Sequence, residues 1–177
     1  MIRPAIFIDR DGTLIYNVPY LSDPQKVVLT PGAGPTLAAL AKAGFLIILV
    51  TNQSGIGRGF FTIRELDAVH ERMKELLNSS GVVLDGIDYC PHAPDQECNC
   101  RKPKTGMLEQ ACKEHQIDLA RSFMVGDSRQ DIEMGKTFGL RTVQVRLKGV
   151  ENEDFGADLL VASLPEMLEC ARTTLKA

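Results

Sequence analysis

Residues 6–13 read Ile-Phe-Ile-Asp-Arg-Asp-Gly-Thr, and the reading of this stretch decides the fold. An apolar, β-branched run stops at two carboxylates, Asp9 and Asp11, one residue apart and followed by Gly12. A buried strand that ends at Asp9 presents both acids at its carboxyl end, the edge where open α/β sheets carry their chemistry. Two carboxylates held that close repel each other unless a cation lies between them. A hard cation such as Mg²⁺ takes oxygen ligands and keeps room for a substrate phosphate. The stretch therefore points to metal-assisted chemistry on a phosphate. An EF-hand calcium loop is excluded: it needs an acid or amide at 13, Gly at 14 and Glu at 20, where the chain has Thr13, Leu14 and Tyr20. An Asx-type turn after a strand is the plain structural alternative.

Outward from this stretch, strand-like apolar runs alternate with amphipathic helix-like runs. Residues 2–8 form the first predicted strand. Residues 31–43 form a helix with Leu37, Leu40 and Ala41 on one face and Gly44 as its stop. The apolar run 45–50 is the second strand. Thr62 caps the next helix, with Glu65 completing a capping box. Leu66, Val69, Met73, Leu76 and Leu77 make its apolar face, and it ends near Gly81. Residues 87–90, 122–125, 142–145 and 158–161 read as strands, and 106–115, 131–138 and 164–175 as helices. His70 and His115 read as helix-surface residues, Cys112 and Cys170 as core thiols. Strands separated by helices imply right-handed crossovers and a Rossmann-like, doubly wound, mainly parallel α/β sheet. No linker, repeat or low-complexity tract interrupts the chain, so 1–177 reads as a single capless domain. Two connections, 14–30 and 91–104, are long enough to carry function and too short to form a lid domain.

A chain of 177 residues with 44% hydrophobic and 24% charged content suits one soluble domain with a real core. A net charge of −3 argues against a general nucleic-acid partner. No apolar run approaches the ~20 residues that a membrane span needs. The N-terminus lacks the pattern of a signal peptide. Five cysteines, three of them within residues 90–100, suit metal ligation in a reducing compartment better than a disulfide frame. The expected location is the cytoplasm.

Thr51 closes the second apolar run in Val-Thr-Asn-Gln-Ser. If the first two strands are neighbours, its hydroxyl lies beside Asp9 and can donate to a phosphoryl oxygen, as can the amides of Asn52 and Gln53. A polar strand-end cap is the plain alternative. The run Gly55-Ile56-Gly57-Arg58-Gly59 mimics a dinucleotide fingerprint, but its third Gly comes one residue early and the acid ending a next strand is missing. It reads instead as a flexible substrate loop carrying Arg58. Lys102 offers a point charge to a phosphoryl group, and Arg101 a fork for phosphate or sugar hydroxyls. Asp127, at another strand end in Gly126-Asp127, is a third carboxylate for the same sheet edge. Asp131 either holds that loop or favours a helix macrodipole. Cys90-Pro91-His92 with Cys98-Asn99-Cys100 supplies three thiolates and one imidazole, a closed tetrahedral zinc set that pins the loop before Arg101 and Lys102. Unconnected surface thiols are the alternative there.

Taken in order, Asp-x-Asp-Gly-Thr, a strand-end Thr, a Lys and Gly-Asp-x-x-x-Asp resemble the four motifs of the haloacid dehalogenase superfamily over almost the whole chain. The resemblance implies Asp9 as a nucleophile that forms an aspartyl-phosphate and Asp11 as general acid and then base. It implies Thr51 and Lys102 on the phosphoryl group, and Mg²⁺ on Asp9, the Asp11 carbonyl and Asp127. Covalent catalysis by a carboxylate splits one hard displacement into two. Metal and lysine meet the charge that moves onto phosphoryl oxygens. The zinc loop, Thr-Asn-Gln-Ser-Gly-Ile and Cys-Arg-Lys-Pro resemble the capless branch that holds heptose-bisphosphate and histidinol phosphatases. Ser54–Gly59 and Lys104–Leu108 look more like the heptose side of that branch. This implies removal of the 7-phosphate of a glycero-manno-heptose 1,7-bisphosphate by a monomer, with Asn17, Tyr20, Asn52, Gln53, Ser54, Arg58 and Arg101 on the substrate. The short gap between His92 and Cys98 is shared with the histidinol phosphatases, so histidinol phosphate is the alternative substrate. A catalytically inactive, zinc-stabilised binding module is the third reading.

Overall fold

The apolar runs fold as strands because they carry apolar side chains on both sides, as strands of a sheet covered on both faces must. The computed structural model describes residues 2–147, 149, 153–168 and 171. Its strands are β1 (Ala5–Ile8), β2 (Leu46–Asn52), β3 (Gly86–Cys90), β4 (Phe123–Gly126), β5 (Arg141–Val145) and β6 (Leu159–Val161). They form one sheet in the order β3-β2-β1-β4-β5-β6, and every pairing is parallel. The helices between them are α1 (Ala33–Lys42), α2 (Ser54–Gly57), α3 (Ile63–Asn78), α4 (Gly106–Glu114) and α5 (Arg129–Thr137). Residues 164–168 are helical. The predicted continuation of that helix to 175, with Cys170, lies outside the described residues apart from residue 171.

Strand alternation sorts the core into two layers. Ile6, Ile8, Ile47, Leu49, Val125 and Val143 face Leu37 and Leu40 of α1, Val69, Met73 and Leu77 of α3, and Leu164. Ala5, Phe7, Ile48, Val50 and Met124 face Met107, Leu108 and Ala111 of α4 and Met134 of α5. The chain runs from β1 outward to β3, then returns to the other side of β1 for β4. The carboxyl ends of β1 and β4 are therefore the topological switch point, where open α/β sheets bind ligands.

The 14–30 connection is tied down by its own apolar residues. Leu14, Ile15, Leu21 and Val27 are buried, and Ile15 bridges Leu29. Its tip stays outside: Tyr20 is exposed, with a left-handed φ of 51°, and packs edge-on against Phe60 at 4.6 Å between ring centres. Two readings need correction. Residues 54–57 form a helical turn, not a flexible loop, and Gly55 is buried. His70 is not a surface residue: it follows Leu66 by four and precedes Met73 by three, which puts it on the buried stripe of α3 at 4% exposure. Both Cys112 and His115, at the end of α4, are half-buried.

Candidate active site

Asp9 follows β1 directly, and its backbone N–H still donates to Val125 of β4. Lys102 reaches it from the loop after β3. The Lys102 ammonium donates to Asp9 Oδ1 at 2.7 Å, to Asp131 Oδ1 at 2.6 Å and to the Val50 carbonyl at 3.1 Å. An ammonium has three N–H groups, so all are in use. Burial works against the Lys102 charge, but Asp131 and Asp9 more than offset it and hold its pKa above the ordinary value. Asp131 holds the helix start and also takes a partner that its position did not announce. Its Oδ1 takes Lys102, while its Oδ2 accepts from the Ser128 N–H and hydroxyl as half of a capping box on α5.

Asp9, Asp127 and Asp131 offer oxygens that lie within 4.8 Å of one another. Both Asp131 oxygens are already engaged, which leaves Asp9 and Asp127 as the pair suited to a shared hard cation. Burial, against the opposing pull of Lys102, and then the neighbouring carboxylates push Asp9 up to about 8. Burial and Asp131 push Asp127 up to about 6. Those shifts record repulsion that a divalent cation between oxygen donors would relieve. Glycines make this crowding possible. A Cβ on Gly12, whose φ is +82°, would stand 2.3 Å from Asp127 Oδ2. A Cβ on Gly126 would stand 2.3 Å from the Asp131 carboxyl carbon.

Asp11 is held apart from this group. Its carboxylate accepts from Arg10 Nε and Nη2, each at 3.1 Å, and from Gln53 Nε2 at 2.9 Å. Gln53 Nε2 also donates to the Thr51 hydroxyl at 2.8 Å, and Thr51 is the last residue but one of β2, the strand that pairs with β1 as expected. Beyond Asp11 opens a cleft of about 330 Å³, walled by residues 17–21 on one side and 52–55 on the other. Asn17, Tyr20, Asn52, Gln53 and Ser54 line it, as do Arg10 and Phe61, which the sequence reading had not singled out. Arg58 does not. It lies in a neighbouring depression with Gly57, Phe60, Ala93, Asp95 and Gln96, because the α2 turn ends at it. The Arg101 guanidinium is turned to the His92 carbonyl at 3.3 Å. Asn52 is divided: it lines the cleft, yet its side chain brackets the Lys102 peptide, accepting from the N–H at 3.0 Å and donating to the carbonyl at 3.3 Å.

Cys90 ends β3, one strand away from Thr51. Its Sγ lies 3.8 Å from Cys98 Sγ and 3.5 Å from His92 Nδ1, which is 3.3 Å from Cys100 Sγ. A tetrahedron with metal–sulfur distances near 2.3 Å has edges of about 3.8 Å, so the spacing suits zinc. Sulfurs this far apart are not disulfide-bonded. The loop is stitched to the site, with Gln53 N–H donating to the Cys90 carbonyl at 2.7 Å and Gly57 N–H to Pro91 at 2.8 Å.

Carboxylates and a lysine gathered at the switch point of a parallel sheet are a site for hydrolytic chemistry on a charged group, and comparison with known proteins gives its class as HAD-like. Residues 99–167 match the HAD-hydrolase-like family model. The chain is 43% identical to the D-glycero-beta-D-manno-heptose-1,7-bisphosphate 7-phosphatase of Haemophilus ducreyi, over 95% of this chain and 98% of that one. It is 45% identical to the phosphatase of the same name from Pasteurella multocida, over 76% of this chain and 77% of that one. The solved D,D-heptose 1,7-bisphosphate phosphatase from B. bronchiseptica, complexed with magnesium and phosphate, superposes with a TM-score of 0.86 at 30% identity, over 96% of this chain and 98% of that one. The chain belongs to the HAD-like hydrolase family, among its phosphatases, and is a phosphoric monoester hydrolase. No helix among the described residues is long and apolar enough to cross a membrane.

Proposed function

We propose that the protein is a Mg²⁺-dependent phosphatase that removes the 7-phosphate of D-glycero-D-manno-heptose 1,7-bisphosphate through an aspartyl-phosphate on Asp9. The observation that carries this reading is the buried Asp9–Lys102 pair at the switch point, with Asp11 between it and a polar cleft. The names of the similar proteins supply the substrate.

In the first step a carboxylate oxygen of Asp9 attacks phosphorus. The bond from phosphorus to the sugar oxygen breaks, and Asp11 gives that oxygen its proton. Asp11 then takes a proton from water as the water oxygen attacks phosphorus. The bond to Asp9 breaks, releasing phosphate and restoring the carboxylate. Such general acid–base help is worth roughly 10²–10⁴-fold. The Thr51 hydroxyl accepts from Gln53, which leaves its own O–H to donate to a phosphoryl oxygen. Lys102 supplies positive charge at the reacting oxygen; to touch the phosphoryl group directly it exchanges one of its present acceptors. When bound, Mg²⁺ on Asp9, the Asp11 carbonyl and Asp127 offsets charge on the phosphoryl oxygens. Zinc on Cys90, His92, Cys98 and Cys100 is a structural staple for the stretch that leads to Arg101 and Lys102. The enzyme works as a single capless domain, a monomer in the cytoplasm.

The lining of the cleft favours a polyhydroxylated sugar phosphate over the cationic histidinol phosphate. The charged residues lining it are Arg10 and Asp11, and these pair with each other. A cationic amine meets no uncommitted acid there, whereas sugar hydroxyls meet Asn17, Gln53 and Ser54. At saturating Mg²⁺, kcat/KM is expected to be higher for the heptose bisphosphate. An equal or higher value for histidinol phosphate would overturn this choice of substrate.

A further inference from the structure

Arg10 stands between the two motif aspartates, and the reaction above gives it no task. Its side chain is 1% exposed. Besides its two-pronged hold on Asp11, its Nη2 donates to Gln53 Oε1 at 3.0 Å. Its Nη1 lies 3.3 Å from His70 Nε2. A guanidinium has donors and no acceptor, so this ring nitrogen must accept, and the imidazole carries its proton on Nδ1. Burial first, then the nearby charges of Arg10 and Lys74, lower the His70 pKa to about 3, which keeps the ring neutral. The ring is fixed in turn, edge-on to Tyr89 at 6.1 Å between centres. A continuous line of contacts thus runs from α3 through His70 and Arg10 to Asp11, and Gln53 closes it from the N-cap of α2.

We propose that His70 and Arg10 are positioning residues: the neutral imidazole sets the rotation of the Arg10 fork, and the fork sets the angle at which the Asp11 carboxyl meets the leaving oxygen. This rests on the reading of Asp11 as the proton donor. A residue that only stabilises the fold affects all substrates alike. A residue that aims the proton donor matters only where the leaving group needs a proton.

The test compares kcat/KM, which reports the steps through departure of the leaving group, for two esters. One is the heptose bisphosphate, whose alkoxide must be protonated; the other is 4-nitrophenyl phosphate, whose phenolate leaves unaided. His70→Leu strands an Arg10 N–H; it is expected to lose roughly tenfold on the sugar ester and less than about twofold on the aryl ester, a part of the range open to general acids. His70→Gln, with a neutral acceptor oxygen, is expected to restore the sugar ester rate. Arg10→Lys keeps the charge but loses the fork, and is expected to lose about 10²-fold with the same selectivity. Should His70→Leu not fold, Arg10→Lys and His70→Gln carry the comparison. Equal losses on both esters, or none on either, overturn the positioning role. Asp11→Asn separates the two levels: if it loses both esters equally, the proton-donor reading fails and takes this proposal with it. If it is selective while Arg10→Lys is not, only the positioning role falls.

Discussion

Two clusters among the described residues each gather ligand atoms within 4.8 Å of one another and are built in opposite ways. The carboxylate cluster joins Asp9 to Asp127 and Asp131, more than a hundred positions further on; Asp9 and Asp127 follow two adjacent strands and Asp131 stands in the first turn of α5. Its donors are hard oxygens, and Asp9 and Asp131 are buried. The Cys/His cluster is drawn from residues 90–100 alone. Its donors are soft, they fill all four positions of a tetrahedron, and they stand aside from the cleft lining. The first cluster exists only if the sheet exists; the second can assemble locally and then brace the sheet's edge. Under the proposed function, reactivity belongs to the cluster whose charges crowd one another, and stability to the one assembled locally.

The sharpest way to break this comparison is Asp9→Asn, expected to abolish turnover while the protein stays folded. An amide cannot form the acyl phosphate, yet its neutrality relieves repulsion from Asp127 and Asp131. Phosphate release and a thermal melt check both halves; retained activity would sink the mechanism. Next comes Lys102→Met, which leaves Asp9 and Asp131 buried without their shared cation. Removing one partner of such a pair costs about 3–5 kcal/mol, so urea unfolding should move to much lower denaturant together with loss of activity.

Cys98→Ser should act in the other order, on stability first. Protein purified without added metal is expected to hold one zinc per chain by elemental analysis, and the variant far less. Its activity should fall by only about tenfold, less than the loss of a general acid, because Asn52 still brackets the Lys102 backbone. Zinc near zero in fully active wild-type protein would remove the claim.

The smallest effect is on pH dependence. Asp9 and Asp127 are raised from 3.8 to about 8 and about 6 in the folded chain. Below the unfolded value both forms hold the protons and nothing is lost. As pH rises, the unfolded chain releases them first, so stability falls, through Asp127 until about pH 6 and through Asp9 until about pH 8. Chelator-treated protein should lose melting temperature across that window. Added Mg²⁺ should restore it most at the alkaline end, and Asp9→Asn should flatten the curve. Parallel curves with and without Mg²⁺ would contradict the assignment of these carboxylates to a cation.

Most elements were legible because their signals are local. The capping box at Thr62 follows directly from which residues stand three positions apart. The strands followed from short apolar runs, two of which, β1 and β4, lead into acids. Where several polar side chains point depends on neighbours that no local pattern names. Arg58 was expected on the substrate, but the one-turn helix before it carries it past the cleft. Asn52 was read as a substrate donor, but a strand pairing that sets Asn52 opposite Cys90 brings its amide to the Lys102 peptide. For His70 a signal was present: its spacing from Leu66 and Met73 continues the apolar stripe, and only its polar ring suggested the surface.

The sequence by itself determined the alternation of strands and helices, the acids at the strand ends and the Cys/His set. Each of these is a matter of residue type at short spacing, where sterics and hydrogen-bonding options act within a few residues. Only the tertiary structure decided which strand ends meet. The return of the chain across β1 to β4 placed Asp127 and Asp131 beside Asp9, and parallel pairing with β2 placed Thr51 beside them. The direction of Arg10 into the protein, onto a neutral histidine of a helix sixty residues away, follows from burial: a guanidinium sealed from water must find acceptors within the fold.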